Sequence, residues 1–160
     1  MQPDFLLELV DRGYNAKSWH GPNLKGSLRR VDLAIAAWRP QRERHNIWEI
    51  VLHAAYWKYV ARRRLLGEKR GSFPLKGSNW FIRPVDATGA AWKTDVALLD
   101  DVHRSLRMAI EGLDSRFLRR RPAGSKVTNL ELITGVAYHD VYHAGQIQLL
   151  KVQARSINIH

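Results

Sequence analysis

Two histidines stand four residues apart in His139-Asp140-Val141-Tyr142-His143, which runs on into Ala144-Gly145-Gln146-Ile147. The apolar spacing around them is that of a helix. Positions i and i+4 of a helix lie about 40° apart around the axis and about 6 Å along it, so both imidazoles can reach one metal ion. Burying an imidazole without a partner costs on the order of 1–3 kcal/mol, so two on one apolar stripe need a reason. Metal ligation is one reason; hydrogen bonding with Gln146 or Tyr142 is another. His53 favours the first. It lies among Ile50, Ala54 and Trp57 on the apolar side of a different helix, and metal sites in bundles draw their ligands from facing helices. Three neutral imidazoles suit Zn²⁺, Ni²⁺ or a similar ion and leave coordination positions open for water or substrate.

The other four histidines carry weaker signals. His103, next to Val102 and near Leu106, reads as a partly exposed structural residue or a rim group. His20 falls in the helix-entry turn Trp19-His20-Gly21-Pro22. His45 directly precedes a helix cap and is expected near a cleft mouth, and His160 is terminal. Two look-alike motifs fail. A zincin needs Glu after its first histidine as general base, and here that residue is Asp140. A His-Asp phosphohydrolase needs a further Asp downstream, and none follows Asp140.

The elements that must position these residues are helical. Asp4 to Gly13 is a short amphipathic helix with Phe5, Leu6, Leu9 and Val10 on one stripe. Gly21-Pro22-Asn23 starts a second, with Pro22 in its first turn and Leu24, Leu28 and Val31 on its apolar side; Leu33 to Trp38 adds a short turn. Asn46 caps the next helix, and Glu49 three residues on is placed to reach back in a variant capping box. Its stripe is Ile47, Ile50, Val51, Ala54, Trp57 and Ala61, and Gly67 closes it. Glu68 to Asp86 carries Gly71, Pro74, Gly77 and Pro84 with Phe73, Trp80 and Phe81, the composition of a packed crossover. A long helix follows from about Thr88 to Leu113. Thr128 and Glu131 form a T-x-x-E box before a last helix whose expected stripe is Leu132, Val136, His139, His143, Ile147 and Leu150. No segment alternates with period two, so the expected class is all-α: a four-helix bundle, one domain over residues 1–160.

Composition narrows the function. The chain has 160 residues, 45% of them hydrophobic, and no cysteine, which excludes disulfides, thiolate metal sites and cysteine nucleophiles. The N-terminus lacks the pattern of a signal peptide, and Arg or Lys interrupts every apolar run before bilayer length; a soluble cytoplasmic protein without membrane partners is expected. The net charge is +11, from 26 Lys and Arg against 15 Asp and Glu. Such an excess attracts anions. The runs Arg62-Arg63-Arg64 and Arg119-Arg120-Arg121 lack the aromatic interleaving of a base-stacking surface and read as solvated helix ends, so a nucleic-acid partner is disfavoured.

Three stretches together resemble one family, the DinB/YfiT-like superfamily of metal-dependent proteins. They are Trp19-His20-Gly21-Pro22-Asn23-Leu24, the run from His45 to Trp57, and the run from His139 to Ile147. The resemblance implies a bundle of up-down-down-up topology with the long link between its second and third helices. It implies a divalent metal, Zn or Ni as purified, held by one histidine of helix two and two of helix four, matched here by His53, His139 and His143. Members often form homodimers. Some relatives transfer low-molecular-weight thiols such as bacillithiol or isomerise with mycothiol, and many have no known activity. The family name refers to damage-inducible expression and does not imply DNA chemistry.

The expected function is therefore a divalent-metal-dependent enzyme, a thiol S-transferase or a hydrolase of a small molecule, since a bound ion acidifies a coordinated thiol or water. Trp57, Tyr56, Trp80 and Trp19 are the expected pocket walls, and Asp140, Glu49 and Gln146 the expected outer partners that orient the imidazoles. The alternative is a metal-bearing bundle without catalysis, with a structural, sensing or stress-related role.

Overall fold

In the computed structural model, which describes residues 3–157, helix α1 spans Pro3–Tyr14. The next two helices are short. α2 (Leu24–Ser27) begins at Asn23, whose side chain accepts from the Gly26 N–H, and α3 (Leu33–Ala37) begins at Asp32, which accepts from the Ile35 N–H. Pro22 thus lies ahead of the cap and not inside the first turn, and Leu28 and Val31 fall beyond the helix. α4 (Ile47–Leu65) starts as expected at Asn46, which accepts from the Glu49 N–H at 2.8 Å. It ends in a Schellman turn, with the Gly67 and Glu68 N–H groups donating to the Arg64 and Arg63 carbonyls. α5 (Gly89–Glu111) is capped by Thr88. After a 3-10 turn at Ser115–Phe117 comes α6 (Asn129–Ile157). Its capping box is complete: the Glu131 N–H donates to Thr128 Oγ1 at 3.2 Å, and the Thr128 N–H donates to Glu131 Oε2 at 2.7 Å. The described residues form no strand, and none of their helices is long and apolar enough to cross a membrane. His160 lies outside the described residues.

The four longer helices make the bundle. α4 packs on α5 and α6, and α1 packs on the same two, which leaves α1 and α4 on one diagonal. α1 meets α6 closely: a Cβ on Gly13 would sit 2.8 Å from the Ala137 carbonyl oxygen, so only glycine fits. The connection between α4 and α5 is the packed crossover expected. Phe73 and Phe81 stack into Tyr56 and Tyr59 at ring distances of 5.2–5.7 Å. Arg83 anchors its far end by donating Nε–H to Asp95 and its backbone N–H to Glu49.

The core is two apolar clusters. One gathers Ile47, Trp48, Val51, Leu52, Leu99 and Ile147; the other gathers Leu6, Val10, Ala61, Leu106, Ile110 and Ile133. Along each long helix a polar residue falls between them: Asp11 and Tyr14 on α1, Lys58 on α4, His103 on α5, Asp140 on α6. These meet in one layer. Lys58 and Asp140, both fully buried, form an ion pair. Lys58 Nζ also lies 3.4 Å from His103 Nδ1 and 4.7 Å from the centre of the Tyr14 ring, so each of its three N–H groups has a target. His103 Nε2 faces Asp11 at 3.3 Å, and Asp11 accepts from Arg107 Nε at 2.8 Å. His103 is 2% exposed, which corrects the partly exposed residue expected from sequence.

α6 is rotated relative to the expected stripe. Its buried positions are Asn129, Ile133, Val136, Ala137, Asp140, His143, Ala144, Ile147, Lys151 and Ala154. Leu132, His139 and Leu150 flank this stripe, and Asp140 occupies its centre.

Candidate metal centre

His53 comes from the middle of α4, and His139 and His143 come from successive turns of α6, the neighbour of α4. The three Nε2 atoms converge. His139 Nε2 is 3.1 Å from His53 Nε2 and 3.0 Å from His143 Nε2, and all three ligand atoms lie within 4.8 Å of one another. Around a tetrahedral zinc with Zn–N of about 2.0–2.1 Å, neighbouring nitrogens stand about 3.3 Å apart, so the two spacings to His139 Nε2 are compatible with a shared ion.

The other ring nitrogens fix the tautomers. His53 Nδ1 donates to the Asn79 carbonyl at 2.9 Å and His143 Nδ1 donates to Gln146 Oε1 at 2.7 Å. Both Nε2 atoms therefore present lone pairs to the same point. His139 Nε2 holds at most one proton and can satisfy only one of them. A divalent cation at that point resolves the conflict, and the donor set fits one. Burial keeps all three rings neutral, which is the ligating form. It lowers the pKa of His53, lowers that of His139 to about 3, with help from the neighbouring histidines, and lowers that of His143 to about 4.

Outer contacts hold the three imidazoles in place. Asn79 sits at a φ of 65°, a left-handed conformation that asparagine tolerates better than most residues. There its carbonyl takes His53 while its side-chain oxygen accepts from Trp57 Nε1 at 2.9 Å. Trp80 stacks on His53 at 3.8 Å and on His45 at 3.6 Å, so the indole lies between the two imidazoles. Gln146 also donates to the Tyr142 hydroxyl at 3.1 Å. A cleft of about 570 Å³ opens beside the three histidines, walled by His45, Ile50, Trp80, Tyr142 and Leu149. Arg44 and three glutamines are in its lining, and among the described residues no carboxylate is.

The structure brings together some of the expected residues and separates others. Gln146 Oε1 accepts from His143 Nδ1, and Trp80 and His45 line the cleft. Trp57 holds Asn79, and through it His53, and with Tyr56 it faces a different cleft. Trp19 is fully exposed and walls nothing. Asp140 orients no imidazole, because Lys58 takes its Oδ2 in the buried layer. Glu49 neither completes a capping box nor touches a ligand. Its carboxylate binds Arg39 and accepts from the Arg83 N–H, and it faces His45 Nδ1 at 2.9 Å. Sequence reasoning missed Asn79 and Lys58. The signals were there: an asparagine after Gly77-Ser78 in the crossover, and a lysine inside the apolar run of α4.

The DinB superfamily model matches residues 18–147. The chain belongs to the DinB superfamily. No curated protein and no solved structure matches it. The matched span contains His53, His139 and His143, so the nitrogens that converge in space all belong to the DinB portion of the chain.

Proposed function

We propose that this DinB protein is a divalent-metal-dependent enzyme that activates a small nucleophile, with thiol transfer to an electrophile as its reaction and hydrolysis as the second reading. One observation carries this: three neutral imidazole nitrogens converge at the wall of an open cleft that contains no carboxylate among the described residues. His53, His139 and His143 would hold a divalent ion through neutral nitrogens, which would leave it its full charge to acidify a thiol or water. The residues do the rest. Asn79 and Gln146 hold two of the rings in the ligating tautomer. Ile50, Trp80 and Leu149 shed water from the cleft, and Arg44 draws anionic substrates in. Thiol transfer is preferred because the described lining of the cleft offers no carboxylate as a base for water: Glu49 is held by the Arg39 guanidinium and the Arg83 backbone N–H, and Asp140 by Lys58. The hydrolytic reading rests on His45, whose Nδ1 faces Glu49 as in a His–Glu dyad.

The test measures metal content and activity together. Untagged protein should carry stoichiometric metal, and His139→Ala should carry none. A panel of low-molecular-weight thiols offered with a chromogenic electrophile should react faster with wild type, and not with His139→Ala. Metal binding without thiol turnover but with ester turnover selects the hydrolase; metal binding with neither selects the non-catalytic alternative.

The proposal includes a homodimer through α6 in the cytoplasm. From Leu132 to Gln153 the only Asp, Glu, Lys or Arg residues are Asp140 and Lys151, both buried. The outward positions Tyr138, Tyr142, Leu149 and Val152 are 62–67% exposed. With Gly135 and Gly145 they repeat at three and four, the spacing of a seam between two helices. An uncharged face is where two copies of a chain of net charge +11 can meet without repulsion. Tyr142 and Leu149 also line the metal cleft, so the second copy would wall it.

A further inference from the structure

α4 and the crossover enclose a second cleft, of about 630 Å³. That volume is in the range of small-molecule sites. The C-terminal half of α4 forms one wall and residues 70–78 form the other. Gly71 and Gly77, at φ of 114° and 117°, let this strap turn away from α4 and return, and an L side chain at either would be strained.

The lining combines two chemistries. Tyr56, Trp57 and Phe73 supply part-exposed aromatic surface, and Arg63, Arg64, Arg70 and Lys76 supply positive charge. Among the described residues no acidic side chain lines the cleft, and Glu68, close by in sequence, is paired with Arg62 at 2.8 Å. Arg63 Nη1 caps the Glu68 carbonyl at 2.9 Å while its buried Nε has no partner. Arg64, Arg70 and Lys76 have no hydrogen-bond or ion-pair partner among the described residues. Cations in the last turn of a helix complement its terminal carbonyls. That accounts for Arg63 and Arg64 but not for Arg70 and Lys76, which come from the crossover and line the same cleft. Arginines around a concave surface match phosphate oxygens, and aromatic faces take a planar ring.

We propose that this cleft is a second binding site, distinct from the three histidines, for a nucleoside phosphate: the base packs on Tyr56, Trp57 and Phe73, and the phosphates meet Arg63, Arg64, Arg70 and Lys76. A nucleic-acid strand uses the same two chemistries, but the walls close on a volume suited to one nucleotide.

ADP is the probe, titrated calorimetrically into the full chain, with adenosine and pyrophosphate as the two half-ligands. Because ADP also chelates metals, every titration is run on wild type and on His139→Ala. The expected result is that ADP binds both proteins alike and more tightly than either half-ligand. The double variant Arg64→Gln/Arg70→Gln should weaken ADP about tenfold or more, since one charge-assisted hydrogen bond is worth about that factor. Lys76→Gln, a change on the exposed strap, checks the result should the double variant lose helical structure by circular dichroism. ADP binding that vanishes in His139→Ala, that the cation variants leave unchanged, or that pyrophosphate alone reproduces would overturn the proposal. So would tight binding of an oligonucleotide with no binding of ADP. The metal reading stands or falls separately, on the metal content of wild type.

Discussion

Replacing Lys58 with methionine separates the polar layer from the apolar clusters on either side of it. The substitution keeps the length of the side chain and removes its charge. Asp140 is then left with no counter-ion, fully buried, and its Oδ1 already has no hydrogen-bond partner. Removing one partner of a buried pair costs about 3–5 kcal/mol, because the remaining charge is stranded. For a chain of this size that lowers Tm by about 6–20 °C. Lys58→Met/Asp140→Leu removes both charges, and buried pairs replaced by packed apolar side chains come out neutral or more stable by about 1–4 kcal/mol. The double variant should therefore recover most of what the single one loses. The pH dependence has a definite sign. Burial raises the Asp140 pKa even beside Lys58, and without the lysine it rises further. A carboxyl with a raised folded pKa favours the native state below its unfolded value and loses that as pH rises through the folded one, so the Lys58→Met penalty should grow from about pH 4 upward. Urea unfolding of metal-free protein, followed by circular dichroism, gives the free energies; competition with a zinc indicator gives metal affinity. Affinity should fall in the single variant, since the pair ties the helix of His53 to that of His139 and His143. Free energies that add across the cycle, or a single variant within about 0.5 kcal/mol of wild type, would refute the coupling.

Other outcomes follow from the same contacts. Gln146→Ala should retain metal at about 10–100-fold lower affinity in indicator competition, because the partner that fixes the His143 tautomer is lost. Burial and the nearby Lys58, Arg107 and Arg104 lower the His103 pKa to about 2, while Asp11 faces its other nitrogen. A neutral buried histidine stabilises the native state above its unfolded pKa near 6.5 and loses that as pH falls toward the folded value, so metal-free protein should weaken in urea below about pH 6.5 and His103→Gln should flatten that slope. Gly13→Ala should cost about 1–3 kcal/mol, because backbone must move where the new Cβ would meet the Ala137 oxygen, and unchanged urea unfolding would contradict the close approach. Val152→Glu should give monomer by analytical ultracentrifugation if α6 joins two copies, and wild type that sediments as a monomer would remove the dimer altogether.

What the sequence revealed and what it hid divide along physical lines. Local chemistry was legible: Asn46, Thr88 and Thr128 start their helices because a cap acts within three residues. The convergence of the three histidines was legible because two of them sit one turn apart and the third stands in an apolar run. The crossover was legible as packed, since a run with Phe73, Trp80 and Phe81 has surface to bury. Its contribution to the site was hidden, because the contact of Asn79 with His53 depends on a backbone turn and not on a spacing. The rotation of α6 was hidden for a deeper reason. Stripe arguments assume that apolar side chains face inward and polar ones outward, and α6 departs from this at several positions: Asp140, His143 and Lys151 are buried among its apolar residues while Tyr138, Tyr142, Leu149 and Val152 are exposed. Two of these buried polar groups have partners on other elements: Lys58 for Asp140, and the carbonyls of Ser27 and Arg29 for Lys151. These partners stand 82 or more residues away in sequence. Periodicity within one helix cannot register them, so the layer that joins all four long helices is invisible to any reading that takes the helices singly.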